Sequence, residues 1–164
     1  MSAGAAPGRD GFVLVPPEDP RTRPLLEGLH HEYLERYGPR IGAEEMEQHP
    51  VDDFAPPTGG LVLLLEGGLT VAGGAFRRHD DATAEFKRIW TAPAHRRRGL
   101  SRRVLAELER LAAAAGYRRV RLTTGNRQPE AFALYRSSGY VLLPGRAQVY
   151  EDGVYDVGFE KRLR

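Results

Sequence analysis

Between residues 61 and 91 the chain alternates extended apolar stretches with two very short breaks, and few backbones satisfy that pattern. Residues 61–66, 69–78 and 82–91 are separated only by Gly67-Gly68 and His79-Asp80-Asp81. Breaks of two or three residues are tight turns rather than crossovers, so the three segments read as an antiparallel meander. In the third segment the alternation sets Glu85, Lys87 and Ile89 on one face and Phe86, Arg88 and Trp90 on the other.

The flanks supply helices. Pro24, Leu25, Leu26, Leu29, Tyr33, Leu34 and Tyr37 recur at steps of three and four and stop at Gly38-Pro39, which predicts an amphipathic helix. A first strand is expected over residues 12–15, a second short helix over 43–49 and a loop over 52–60. After the meander, Leu100, Val104, Leu105, Leu108, Leu111 and Ala115 mark a helix that ends at Gly116. Val120 and Leu122 then define a strand. Pro129 opens another helix, with Ala131, Leu134, Tyr135 and Ser138 on one face, and residues 140–143 and 154–163 close the fold as a strand pair across a loop. The order is that of a mixed α/β layer with crossover helices after residues 91 and 124. Residues 1–10 read as a disordered tail and 11–164 as a single domain.

Composition removes several classes of function. With no cysteine there is neither disulfide nor thiolate chemistry, and the five histidines lack metal-binding spacing, so no metal is expected. The longest aliphatic run, residues 61–65, is far below the roughly 20 residues that span a bilayer. No signal peptide is evident, so a cytoplasmic protein without a membrane partner is expected. Charge is unevenly spread: residues 1–76 hold 12 acids and 5 bases, whereas residues 77–121 hold 13 bases and 5 acids. The basic stretch lacks the aromatic interleaving or recognition helix of a nucleic-acid face, so none is expected as a partner.

The chemically loudest segment is Thr91-Ala92-Pro93-Ala94-His95-Arg96-Arg97-Arg98-Gly99-Leu100-Ser101, a strand end, a glycine-bearing turn and a helix start. A helix N-terminus exposes about four unpaired N–H groups and roughly half a positive charge. Gly99 lets a ligand approach the main chain, and Arg96, Arg97 and Arg98 add guanidinium groups able to fork onto phosphate oxygens. Neither GxxxxGK[ST] nor GxGxxG after the first strand is present.

This segment resembles the V-x-P-x-x-R/Q-x-x-G-x-G/A signature of the GNAT superfamily of N-acetyltransferases, with Thr91 in place of Val and Ser101 in place of Gly or Ala. Residues 126–140, NRQPEAFALYRSSGY, are similar to the family's N-x-x-A-x-x-L-Y-x-x-x-G-F with one residue extra. Residues 84–90, AEFKRIW, look like a strand seen in many members. The three motifs fall in the family's order over about residues 60–143. The resemblance implies a mostly antiparallel twisted sheet of six to seven strands, splayed between strands 4 and 5 and flanked by about four helices.

It also implies acetyl-CoA as cosubstrate and direct acetyl transfer to a primary amine in a ternary complex. The acceptor is expected to be a small molecule or peptide, and the acidic first 76 residues favour a cationic one. A degenerate acyl-CoA-binding sensor is the alternative. By the resemblance, Ile89, Trp90, Thr91, Arg96, Arg97, Arg98, Gly99, Leu100, Ser101, Asn126, Phe132 and Tyr135 bind the cosubstrate. Tyr135 protonates the leaving thiolate, and Glu85 is the candidate base. His31, Tyr33, Tyr37 and Glu85 are candidate acceptor-side residues, and family habit suggests a homodimer.

Overall fold

The meander forms as β2 (Gly60–Glu66), β3 (Leu69–Arg78) and β4 (Thr83–Thr91), joined by the two expected turns. The structure, a computed structural model, describes residues 10–47 and 50–164, so most of the expected tail and the end of the 43–49 helix lie outside it. β1 (Gly11–Val15) pairs antiparallel with β2, Val13 facing Leu63. β5 (Arg119–Gly125) runs parallel to β4, and β8 (Tyr155–Arg162) runs antiparallel to β5. Two short strands, β6 (Val141–Leu142) and β7 (Gln148–Val149), both pair with β8. The sheet order is β1-β2-β3-β4-β5-β8-β6, with β7 beside β8. Its eight strands exceed the expected six to seven because β6 and β7 are two-residue pieces.

Helices cover both faces. α1 (Arg23–Glu47) lies on one face, where Leu25, Leu29, Phe54, Leu61, Leu63, Ala75 and Trp90 form a core. α2 (Leu100–Ala114) and α3 (Pro129–Ser137) cover the other, over Val62, Leu64, Phe86, Leu122 and Phe159. Because it is covered twice, β2 is buried at successive positions and reads as a continuous apolar run. Gly38 interrupts α1 with a left-handed φ of 84°, where the sequence places a break, and the helix resumes earlier than the expected residue 43. Among the described residues no helix is long and apolar enough to cross a membrane.

Two irregularities of β4 shape the middle of the sheet. First, β4 pairs Lys87 with Ala75 and Trp90 with Gly73, so Arg88 and Ile89 together oppose Gly74 in a β-bulge. Arg88 takes a φ of 59° there. One extra residue reverses the parity of the strand. The expected alternation is corrected accordingly: Ile89 packs on the Phe86 side, while Arg88 lies over the Phe54 ring and Trp90 packs in the α1-side core. Second, β4 and β5 pair only from Thr83↔Arg119 to Phe86↔Leu122 and then separate, which is the expected splay.

Candidate active site

Beyond Phe86 the strands part around a cleft of about 530 Å³. One side is the free edge of β4 at Ile89, Trp90 and Thr91, and the other is the face of α3 at Ala131, Leu134 and Tyr135. The turn before α2 and its first residues, Arg96, Arg97, Gly99, Leu100, Ser101 and Arg102, form one end. Gly99 caps α2 at φ 72° without any side-chain cap, and a Cβ there would meet nothing within 4 Å. Among the described residues the amides of Gly99, Leu100, Ser101 and Arg102 make no main-chain hydrogen bond. The helix start therefore presents bare N–H donors and the positive end of its dipole to the cleft, and this arrangement can hold an anion. Thr91 and Ser101, the two departures from the signature, hydrogen-bond to each other through their hydroxyls at 2.7 Å, tying the end of β4 to the first turn of α2.

The arginines divide by partner. Arg96 and Arg97 line the cleft, Arg96 bonded to Glu32 of α1 and Arg97 at a φ of 63°. Arg98 does not line it; its guanidinium forks onto both oxygens of Glu66, at 3.1 and 2.8 Å, and meets His95. Arg102 donates to Ser137 and Ser138, bracing α2 against the end of α3. Three acids of the first 76 residues hold arginines of the basic stretch: Glu32 holds Arg96, Asp53 holds Arg77 and Glu66 holds Arg98. Of these three, Glu32 lines the cleft, and Asp53 and Glu66 line neither space.

Tyr135 stands at the inner end of the cleft. Its ring packs against Tyr140 and Phe159, with centroids 5.9 and 5.6 Å apart. Among the described residues its hydroxyl has no hydrogen-bond partner, and burial raises its pKa well above the ordinary tyrosine value. On the α1 side of the split lies a second, smaller cavity of about 60 Å³, walled by Tyr33, Tyr37, Lys87, Arg88, the Thr123-Thr124-Gly125 end of β5, and Asp156. Ile89, Gln128 and Tyr135 line both spaces, so the two meet there. Gln128 donates to the Tyr37 hydroxyl at 3.0 Å. Gly125 is required beneath it, because a Cβ would lie 2.0 Å from that oxygen.

The remaining candidates fall elsewhere. Asn126 clips the loop before β8: its amide donates to the Gly153 carbonyl at 3.0 Å and its oxygen accepts from the Tyr155 amide at 3.1 Å. Phe132 packs edge-on against Phe159 rather than lining the cleft. His31 is exposed and pairs with Glu35 one turn on. Glu85 lines neither space, and its carboxylate receives Arg77 at 2.8 Å. Sequence reasoning missed Gln128, Asp156, Lys87 and Arg88 as cavity walls. The signals were faint: the extra residue in the Asn126 motif falls in the stretch that holds Gln128, while Asp156 sits in an ordinary strand pattern.

Comparisons with known proteins bear on the family and the fold. No curated protein matches the chain. Among the solved structures it resembles is one provisionally named as an acyl-CoA N-acyltransferase from Klebsiella pneumoniae, with 27% identity, a TM-score of 0.73, and coverage of 94% of this chain and 98% of that one. An acetyltransferase from Streptococcus agalactiae shares 18% identity at a TM-score of 0.71, covering 93% and 99%. A GNAT family acetyltransferase from Elizabethkingia anophelis with acetyl-CoA bound shares 16% at 0.65, covering 93% and 97%. The last two speak for the fold alone. The model of the acetyltransferase (GNAT) family matches residues 26–140, well over half of the chain and the whole stretch that builds the cleft, and the chain belongs to that family.

Proposed function

We propose that this protein is a single-domain N-acetyltransferase over residues 11–164, moving an acetyl group from acetyl-CoA directly to the primary amine of a small molecule. The observation that carries the reading is the meeting of two spaces at Ile89, Gln128 and Tyr135: a long cleft with bare helix amides at one end, and a small polar cavity beyond the split strands. The acetyl-CoA held by the Elizabethkingia relative supports the same cosubstrate here.

The parts suit that molecule. The amides of residues 99–102 and the Arg97 guanidinium receive the pyrophosphate. The free edge of β4 takes the pantetheine arm as an added strand, and its N–H groups near Ile89–Thr91 polarise the thioester carbonyl. In the transfer, the amine nitrogen bonds to the carbonyl carbon and the carbon–sulfur bond breaks. The amine loses one proton to solvent through the small cavity, and the sulfur gains one from Tyr135, which is reprotonated afterwards. Burial keeps Tyr135 in its acid form, and the same dry site raises the basicity of the leaving thiolate toward it. Glu85 is better supported as the partner of Arg77 than as the base, because its carboxylate lines neither space.

Two measurements test the reading. Calorimetry should detect acetyl-CoA binding at physiological salt, and free thiol should appear when acetyl-CoA meets a broad panel of amines. Absence of binding overturns the proposal. Binding with no thiol released from any amine assigns the chain to the sensor class instead.

A further inference from the structure

The small cavity between β4 and β5 is electrically divided. Lys87 and Arg88 belong to its β4 wall, while Asp156, only 6% exposed, belongs to the opposite side on β8, directly across from Gly125. Tyr33 and Tyr37 of α1 cover it with two rings 6.5 Å apart. The division stems from the bulge. Without the extra residue, Arg88 would fall on the Phe86 side of the sheet. With it, Lys87 and Arg88 both serve the α1 side, and the Arg88 guanidinium sits 4.7 Å from the centre of the Phe54 ring. A bulky residue at a φ of 59° is strained, and such strain survives only where the surroundings impose it.

Burial lowers the Arg88 pKa, with the Tyr33 hydroxyl acting in the other direction. A partly desolvated cation therefore stands at one wall, and an entering anion recovers part of that desolvation cost. Lys87, Arg88 and Asp156 also interact with the protein around them, so their positions are set before any ligand arrives. The volume of about 60 Å³ has room for about four or five water-sized atoms, the size of a neutral amino group, one carbon and a carboxylate.

We infer that the acceptor is a small amine bearing its own carboxylate, an amino acid or a close relative, with the carboxylate against Lys87 and Arg88 and the amino group toward Asp156 and Tyr135. This rests on the acetyl-transfer reading above and names its substrate class. Asp156 accepts a hydrogen bond from the amino group on the side away from the thioester. The cationic wall rejects amines that bring no negative charge.

The test uses the full chain, saturating acetyl-CoA and thiol release, with each free amino acid compared against its carboxamide and its decarboxylated amine. At least one free amino acid should exceed both counterparts in kcat/KM by about a hundredfold. In Arg88→Gln and in Lys87→Met that ratio should collapse to below about tenfold, chiefly through the KM of the amino acid, while calorimetry still finds acetyl-CoA bound. A carboxamide or plain amine that reacts as well as its amino acid overturns the inference, as does a ratio unchanged in the folded variants. Should Arg88→Gln lose its melting transition, Lys87→Met, whose side chain is half-buried at the cavity rim, decides alone. Failure of the native chain to bind acetyl-CoA would instead strike the acetyl-transfer reading itself.

Discussion

Arg77 Nη1 lies 2.8 Å from the Glu85 carboxylate across the β3–β4 pair, and Nη2 of the same guanidinium reaches Asp53 at 3.1 Å. The arrangement pins the turn over residues 51–54, which buries Phe54, to the sheet. Glu85→Gln leaves Arg77 with one carboxylate in place of two. It should cost about 1 to 3 kcal/mol of stability, seen as a lower urea midpoint, and leave kcat within about threefold. A hundredfold fall in kcat with an unchanged midpoint would return Glu85 to the role of base.

Tyr135→Phe removes a hydroxyl that has no partner among the described residues, so stability should change by no more than about 0.5 kcal/mol. Turnover should drop by about a hundredfold while the Kd for acetyl-CoA stays within threefold. Equal losses in turnover and affinity would mean that the ring is acting through packing alone. Because burial raises the Tyr135 pKa, its acid form persists, and kcat in the native enzyme should show no alkaline limb from this group below about pH 10.

Alkaline stability depends on the same burial. The pKa values of Tyr135 and Tyr140 are both raised, Tyr140 by burial and then by the Glu109 carboxylate 2.9 Å away, so the folded state favours the protonated phenols. In the unfolded chain both ionise near pH 10. Their contribution is whole below that pH and is lost as pH rises above it, by about 1.4 kcal/mol per pH unit for each group. Urea titrations at pH 9, 10 and 11 should show this decline, and Tyr135→Phe should make it shallower by one group's share.

Gly28→Ala tests the α1-side core. In most helices this change stabilises by up to about 1 kcal/mol. Here a Cβ would stand 2.3 Å from Trp90 Nε1, and the indole is itself buried among Leu25, Leu29 and Phe54. The expected outcome is a loss of more than about 2 kcal/mol with a blue or red shift in tryptophan fluorescence. Since Trp90 also lines the cleft, acetyl-CoA binding should weaken alongside. A stabilised variant would show that α1 moves freely over the sheet.

The meander was legible because two- and three-residue breaks leave a chain little choice. The helices were legible because glycines punctuate them at Gly38, Gly116 and Gly139. The anion seat was legible in a glycine-bearing turn with three arginines ahead of a helix, whereas the splay came only through the family resemblance. Three things were hidden for a common physical reason, that they depend on partners distant in sequence. The bulge at Arg88 exists because Gly74 stands opposite two residues, and no local rule marks Arg88 itself. Which arginine of the run faces the cleft is decided by Glu32 and Glu66, 64 and 32 residues before their partners. Asp156 becomes notable only because β8 lies against β5, bringing it level with Gly125.

The bare amides at the start of α2 are supplied by the main chain, and every residue except proline supplies the same N–H. Thr91 and Ser101, which stand at signature positions in place of the usual residues, leave those N–H groups as they are and bond to each other. The facing half is built from the side chains of Tyr33, Tyr37, Lys87, Arg88 and Asp156, so each substitution there changes what fits. One strand gap thus separates a half made of main-chain groups, which most substitutions leave intact, from a half made of side chains, which every substitution alters.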